Sequence, residues 1–339
     1  MVKKTVLAIS ALSIVMLLFY AFLQYEKMES WLLTPSGEEK TVKLVDIPKG
    51  TSVRAALSIL IKEKLAQETP YLKFITRIEK LPEIKAGEYE FSSEQSPLDM
   101  LEQMAAGRVK LHRFTVPEGL RITEIAGIVE KAGFGKAADF VKMATSAKTA
   151  KKYNIPGDTL EGYLLPETYS FPKDAGTAEI IEQMVSDMNR LWSQKEDDQA
   201  HKLGMTRFEI MTLASIIEKE AAQPDERPLV SSVYHNRLKL KMPLQADPTI
   251  IYGLKKYNGN ISKEDIRNPH PWNTYVHPGL PKGPIANPGA ASINAALYPA
   301  ETDYLFFVAR NNGSHHFSST LAEHNRMVQK YQVNGERAE

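Results

Sequence analysis

The sequence predicts an α+β fold carried behind one N-terminal transmembrane helix. Three observations predict it: an uncharged run at the start, a strand, Pro-x-Gly turn and helix plan that occurs twice, and a C-terminal part in which helical segments alternate with proline- and glycine-rich loops. At 339 residues the chain is long enough for two or three domains with a sizeable core. Its 42 Lys and Arg against 41 Asp and Glu leave no bulk charge to draw a nucleic acid. The absence of cysteine excludes disulfides, thiolate zinc sites and thiol nucleophiles.

Lys3 and Lys4 precede the apolar run Thr5–Leu23, which can cross a bilayer at roughly 20 residues. The next residues, Gln24-Tyr25-Glu26-Lys27, offer no small-x-small cleavage site, so the run reads as an uncleaved anchor. The basic residues keep that end in the cytoplasm and set the rest of the chain outside. Residues 1–25 are therefore taken as cytoplasmic tip and anchor, and 26–42, with Pro35-Ser36-Gly37, as a linker.

From Lys43, KLVDIPKGTSVRAALSILIKEKL reads as a strand, a turn, and a helix opened by Thr51 or Ser52 with Ala55, Ala56, Leu57, Ile59 and Leu60 as its apolar face. A second helix around Tyr71–Arg77 follows. Gly87 then precedes an alternating strand with Tyr89 and Phe91, and Ser96-Pro97 starts a helix that stops at Gly107. This small module, residues 43–112, resembles the LysM-like glycan-binding subdomain, and a plain structural module fits as well. RFTVPEGLRITEIAGIVEKAG, Arg113–Gly133, repeats the plan and opens a second small α+β segment over 113–157, helical through 139–157. Residues 158–339 form the larger mixed α+β domain, with helices over Ala178–Gln194, Arg207–Ala222 and Leu229–Lys239 and a late strand, Tyr304–Ala309.

Chemical character concentrates in that domain. In TRFEIMTLASIIEKEAAQ, residues 206–223, Thr206 and Glu209 make a capping box that starts a helix. At 3.6 residues per turn Leu213, Ile216, Ile217 and Glu220 share one stripe, and Met211, Ala214, Ser215 and Glu218 another. On the more apolar face near the helix C-terminus, Glu220 should hold its proton to higher pH, which suits a general acid. Glu218 competes for the role, and a merely structural Glu220 paired with Lys219 or Arg227 remains an alternative. DTLEGYLLPETYSFP, residues 158–172, carries Glu161, Tyr163, Glu167, Tyr169 and Phe171. Aromatics and carboxylates in this density suit a carbohydrate cleft, or else a β-hairpin whose tyrosines cover a core edge.

Gln245, Asp247 and Thr249 stand close to Pro243 and Pro248, hence in a fixed, non-helical loop. The proline- and glycine-rich run 268–289 contains Trp272, Tyr275, Val276, Leu280 and Ile285, which need somewhere to pack, so it should be an ordered loop lining a site. Asn287-Pro288-Gly289 then opens a helix. The eight histidines fall in no HExxH or other recognised ligand spacing, and neither G-x-S-x-G nor a phosphate-cradling loop occurs. No metal and no cofactor are expected.

ASIIEKE (Ala214–Glu220), LQADPTIIYG (Leu244–Gly253), YNG (Tyr257–Gly259), NTY (Asn273–Tyr275), GLPKGPIANPG (Gly279–Gly289), YLFFVA (Tyr304–Ala309) and the preceding EGYLLPETY together resemble the YceG-like endolytic murein transglycosylases (MltG). That resemblance implies lytic cleavage of the MurNAc–GlcNAc β-1,4 bond inside a peptidoglycan strand, leaving a 1,6-anhydroMurNAc end. Ordinary glycosidases need two carboxylates; here the sugar's own 6-hydroxyl is the nucleophile and one glutamate suffices. The resemblance puts that glutamate at Glu220, with Glu218 in support and Gln245, Asp247, Thr249, Tyr252, Asn273 and Tyr275 along the cleft, faced by Glu161 and Tyr169; Tyr163 joins them by composition. Where related lytic enzymes carry Ser or Thr after the glutamate, this chain has Ala221, which leaves the role of a neighbouring hydroxyl open. It further implies a periplasmic domain on an inner-membrane anchor and contact with penicillin-binding synthases at the end of nascent strands. Two other readings stand beside it: a non-catalytic peptidoglycan-binding scaffold, and an anchored hydrolase acting on something other than glycan.

Overall fold

The computed structural model describes residues 2–36, 40–78, 83–221 and 223–335; Gly37 of the expected linker and Ala222 at the expected helix end lie outside the described residues. The chain divides into two compact units, Met1–His112 with Phe171–Asp174, and Arg113–Ser170 with Ala175–Glu339. Residues 113–157 thus belong to the larger unit rather than standing apart.

In the first unit α1 (Val2–Leu33) leads to β1 (Val42–Ile47), α2 (Val53–Lys62), α3 (Leu72–Ile78), β2 (Gly87–Ser92) and α4 (Pro97–Ala106). β1 and β2 pair antiparallel, Val45 opposite Tyr89 and Ile47 opposite Gly87. Alternation along the strands turns Val45, Ile47, Tyr89 and Phe91 inward, onto Leu57 and Leu60 of α2 and Met100, Leu101 and Met104 of α4. Ser52 caps α2; Ser96 and Asp99 form a capping box on α4, with Pro97 in its first turn and Gly107 left-handed at its end.

α1 corrects the sequence reading. It runs on through residues 26–33, which were expected as linker, because Met28, Trp31 and Leu32 recur at helical spacing and pack into the core just described. Tyr71 Oη donates to Gln24 Oε1 at 2.8 Å and Trp31 Nε1 to Gln67 O at 3.1 Å, fixing the last turns of the helix. Before them, Ile9 to Leu23 stand exposed, and Ile9–Leu33 is long and apolar enough to cross a membrane.

The second unit opens with β3 (Leu111–Thr115), α5 (Ile122–Lys131), α6 (Ala137–Ala144), α7 (Ala147–Lys152) and β4 (Thr168–Pro172), β3 pairing with β4. The β1–α2 and β3–α5 segments share strand, turn and helix, with Gly50 and Gly119 left-handed in the two turns. The helical stretch expected over 139–157 is two short helices broken at Thr145-Ser146. α8 (Thr177–Arg190), α9 (Gln194–Lys202), α10 (Arg207–Glu220), α11 (Arg227–Lys239), α12 (Asp247–Gly253), α13 (Lys263–Arg267) and α14 (Ala290–Leu297) follow. β5 (Phe306–Ala309) and β6 (His315–Ser318) make an antiparallel hairpin ahead of α15 (Leu321–Val328).

α10 is the axis of this unit and packs on α9, α11, α12 and α14. Every residue from Ile210 to Ile217 is buried. A helix apolar on all sides must lie inside a protein.

Candidate active site

The Thr206–Glu209 capping box starts α10 as its sequence requires, and the helix ends at Glu220, where Ala221 turns extended. Because both stripes of α10 are buried, the apolar-face argument does not separate Glu220 from Glu218. Their partners do. Glu220 reaches a polar cleft of about 230 Å³, whose walls include Arg237, Gln245, Asp247, Tyr275 and His324. Glu218 turns the other way: its Oε2 accepts the Gly289 N–H at 3.0 Å, and Arg227 Nη2 lies 3.6 Å from Oε1.

Tyr234 of α11 donates its hydroxyl to Glu220 Oε1 at 3.1 Å. One turn on, Arg237 donates from Nε to Leu305 O and from Nη1 to Leu244 O, both at 2.7 Å, and so ties the entry of β5 to the segment before Gln245. Gln245 is left-handed, with φ +50°. Beyond it the expected non-helical loop is in fact α12, since Pro248 sits in the first turn, where its missing N–H costs nothing. Asp247 therefore stands at the head of a helix and accepts the Tyr275 hydroxyl at 2.7 Å.

Thr249 and Asn273 are buried and lie behind this wall rather than on it. Thr249 Oγ1 lies 2.9 Å from Thr274 Oγ1, which accepts the Ala246 N–H. Asn273 Nδ2 donates to Ile266 O and Asn268 O at 2.9 and 2.7 Å, while its Oδ1 accepts the Tyr275 N–H. These two residues clamp α12 to the 273–275 turn and aim Asp247 and Tyr275.

Burial pushes the Glu220 carboxyl up to about 7; the Tyr234 hydrogen bond opposes this, the Asp247 charge adds to it and Arg237 opposes it. Burial first, then the hydrogen bond to Asp247 and the nearby carboxylates, raises the Tyr275 phenol, which keeps its proton and donates. Burial, with the charges of Arg237 and His316, holds the His324 imidazole below its ordinary value. The cleft therefore holds one carboxyl able to give and take a proton near neutrality, a second carboxylate, and neutral donors around them.

Glu161 and Tyr252 meet at a different cavity. Glu161 is 5% exposed and accepts from Ile122 N at 3.1 Å, Asn287 Nδ2 at 2.8 Å and Tyr252 Oη at 3.1 Å. Burial raises it to about 7 against those hydrogen bonds. Tyr163 and Tyr169, expected at the substrate, are core residues instead. Tyr163 is 1% exposed, and Tyr169, at 4%, packs on Phe114 and donates to Leu165 O. Gly162 between Glu161 and Tyr163 is left-handed, and a Cβ there would lie 2.6 Å from Pro284. The chain turns inward at that point next to Tyr163, and the alternation of β4 turns Tyr169 inward with Phe171.

The loop 268–289 is ordered and fastened to α10: Ser215 Oγ accepts the Ile285 N–H at 3.0 Å, and Glu218 holds Gly289, the cap of α14. A larger cavity of about 920 Å³ opens around Phe208, His235 and Leu280. Its one lining carboxylate, Glu209, is committed to the Thr206 cap, so it offers no acid for catalysis. Sequence reasoning missed Tyr234, Arg237 and His324. Tyr234 and Arg237 were legible as polar groups three apart on an otherwise structural helix; His324 carried no local signal.

A profile of the YceG-like family matches residues 45–330. The endolytic murein transglycosylase of Bacillus subtilis is 34% identical over 318 residues, covering 88% of this chain and 88% of the relative. That of Streptococcus pneumoniae is 27% identical over 339 aligned residues, 91% of this chain and 61% of the longer relative. A crystal structure of a yceG-like protein from Listeria monocytogenes matches with a TM-score of 0.59 at 33% identity, covering 85% of this chain and 100% of that one.

Proposed function

The chain belongs to the YceG-like family, and from that premise we propose that it is an endolytic murein transglycosylase, a lyase that cuts peptidoglycan glycan strands. Glu220 is its catalytic residue. In the acid form it donates a proton to the glycosidic oxygen as the MurNAc C1–O4 bond of the next GlcNAc breaks. The resulting carboxylate takes the proton of the MurNAc 6-hydroxyl as O6 bonds to C1, which leaves a 1,6-anhydroMurNAc end and returns Glu220 to its acid form. No water is consumed and no second carboxylate is needed as nucleophile or base, in contrast to hydrolytic glycosidases. Asp247, held by Tyr275, supports the proton affinity of Glu220 by its charge. Gln245 and Tyr275 contact the sugars on the cleft wall, and Glu218 positions the 287–289 turn.

The observation that carries this reading is Glu220 on a polar cleft with its carboxyl raised to about 7. The β1–α2–α3–β2 order, with its two strands antiparallel, supports a LysM-like glycan-holding role for the first unit. The exposed apolar run of α1 supports a single-pass anchor in the cytoplasmic membrane, N-terminus inside and both units on the outer face. An enzyme so tethered is suited to ending nascent strands beside the synthases that make them.

The test is mass spectrometry of products released from purified peptidoglycan. Wild type should leave anhydro ends, lighter than reducing ends by one water, and Glu220→Gln should leave none. Reducing ends from the wild type would overturn lytic chemistry. Full activity in Glu220→Gln would overturn the assignment of the acid.

A further inference from the structure

We propose that the cavity bounded by Trp272, Tyr252 and Glu161 is a distal subsite that takes one GlcNAc ring of the glycan strand, outside the pair of sugars flanking the scissile bond. The inference rests on the glycan-cleaving reading above and deepens it. The cavity measures about 160 Å³, the room of about five waters at roughly 30 Å³ each. A cavity of that size, open to solvent, can seat one face of a pyranose ring while the rest of the sugar stays outside it.

Its chemistry suits a neutral sugar. The Tyr252 and Trp272 rings lie 5.3 Å apart at 55° and offer an aromatic corner to the apolar face of a pyranose. The buried Trp272 Nε1–H has no protein acceptor among the described residues, so it is free to donate to a ring hydroxyl or an acetamido carbonyl. Charge around the cavity is balanced: Lys282 Nζ lies 3.8 Å from Asp158 Oδ2, and Arg121 lies over the Tyr252 ring at 4.8 Å, beside Glu161. Glu161 already accepts from three donors, which makes it the holder of Tyr252 and not a second catalytic acid.

Its position suits a strand. α12 carries Asp247 in the Glu220 cleft and Tyr252 in this cavity, five residues on, or about 7.5 Å of helix rise. Five residues also turn the helix by about 140°, so an oligosaccharide reaches the second cavity by passing round α12. Gly253 leaves room for the segment: a Cβ there would lie 2.2 Å from the His270 imidazole, two residues before Trp272, so a side chain at 253 would displace that ring.

The experiment uses the full chain in detergent, in the Glu220→Gln background so that nothing is cut. Unsubstituted β-1,4-GlcNAc oligomers of increasing length are titrated in by calorimetry. Affinity should step up about tenfold once the oligomer is long enough to reach Trp272. Trp272→Ala should remove the step, and Trp272→Phe, which keeps a ring and removes the N–H, should leave part of it. Circular dichroism checks that each variant is folded, and the Phe variant, which loses less volume, decides if the Ala variant is not. The same step in both variants, or no step with Trp272 intact, would overturn the subsite. If the step is missing while wild type still leaves anhydro ends, the subsite fails and the transglycosylase reading stands.

Discussion

Replacing Glu220 with glutamine removes a proton-binding group from a place where the fold holds its charged form unwillingly, and the protein should be more stable for it at alkaline pH. The carboxyl lies at about 7 in the folded chain against an ordinary 4.5. At about 1.4 kcal/mol per pH unit that gap is worth about 3 kcal/mol, or about 2 once solvent contact on the cleft side is allowed for. Below pH 4.5 both states are protonated and the substitution should be neutral. Between 4.5 and 7 the unfolded chain releases a proton that the folded chain keeps, so wild-type stability falls as pH rises. Above 7 the loss is complete. Glutamine keeps an oxygen for the Tyr234 hydroxyl and has no such loss. Urea unfolding at pH 4, 6 and 8, followed by the emission of Trp192 and Trp272 in the second unit, measures the difference. A gain of about 2 kcal/mol at pH 8 that vanishes at pH 4 is expected. A gap independent of pH, or a variant less stable at pH 8, would refute the assignment of a buried, raised carboxyl.

Cleavage itself should fall about tenfold per pH unit above about 7, as the acid form of Glu220 is lost; a kcat profile still rising there would point to another acid. Glu218→Gln retains an oxygen for the Gly289 N–H and should keep more than about a tenth of wild-type kcat, in contrast to Glu220→Gln. Asn273→Ala strips the acceptor of the Tyr275 N–H and the donor to Ile266 and Asn268, and should cost about 2–4 kcal/mol by chemical denaturation. Glu161→Ala leaves three donors without their acceptor in a buried site and should cost about 3 kcal/mol, measured the same way.

What could be read from the sequence is what neighbouring residues decide among themselves. The capping boxes at Ser96 and Thr206 are such features, each written within four residues and each formed. α10 and the ordered 268–289 loop follow from them and from the packing needs of the loop's apolar groups. What could not be read depends on contacts across the fold. Tyr163 and Tyr169 have the composition of a sugar platform, and the turn at Gly162 and the register of β4 send them inward. Pro248 is compatible with a loop or a first helical turn, and the clamp at Thr249 and Thr274 decides for the turn. The cleft joins Glu220 to His324, more than a hundred residues away, and no local pattern announces that pairing. Residues 26–33 misled because Glu26, Lys27 and Glu29 look like a linker, while Met28, Trp31 and Leu32 face the core.

That last feature bears on how the protein can be handled. A soluble form cut just before residue 26 keeps the helical turns that complete the first unit. One cut at residue 34, where helix gives way to loop, would strip Met28, Trp31 and Leu32 from a core of modest size and uncover the side of α4 on which α1 packs. A protease that released the enzyme at that point would leave its first unit damaged. The last turns of α1 are thus a structural part of the module that follows them, and a cut after them costs that module part of its core.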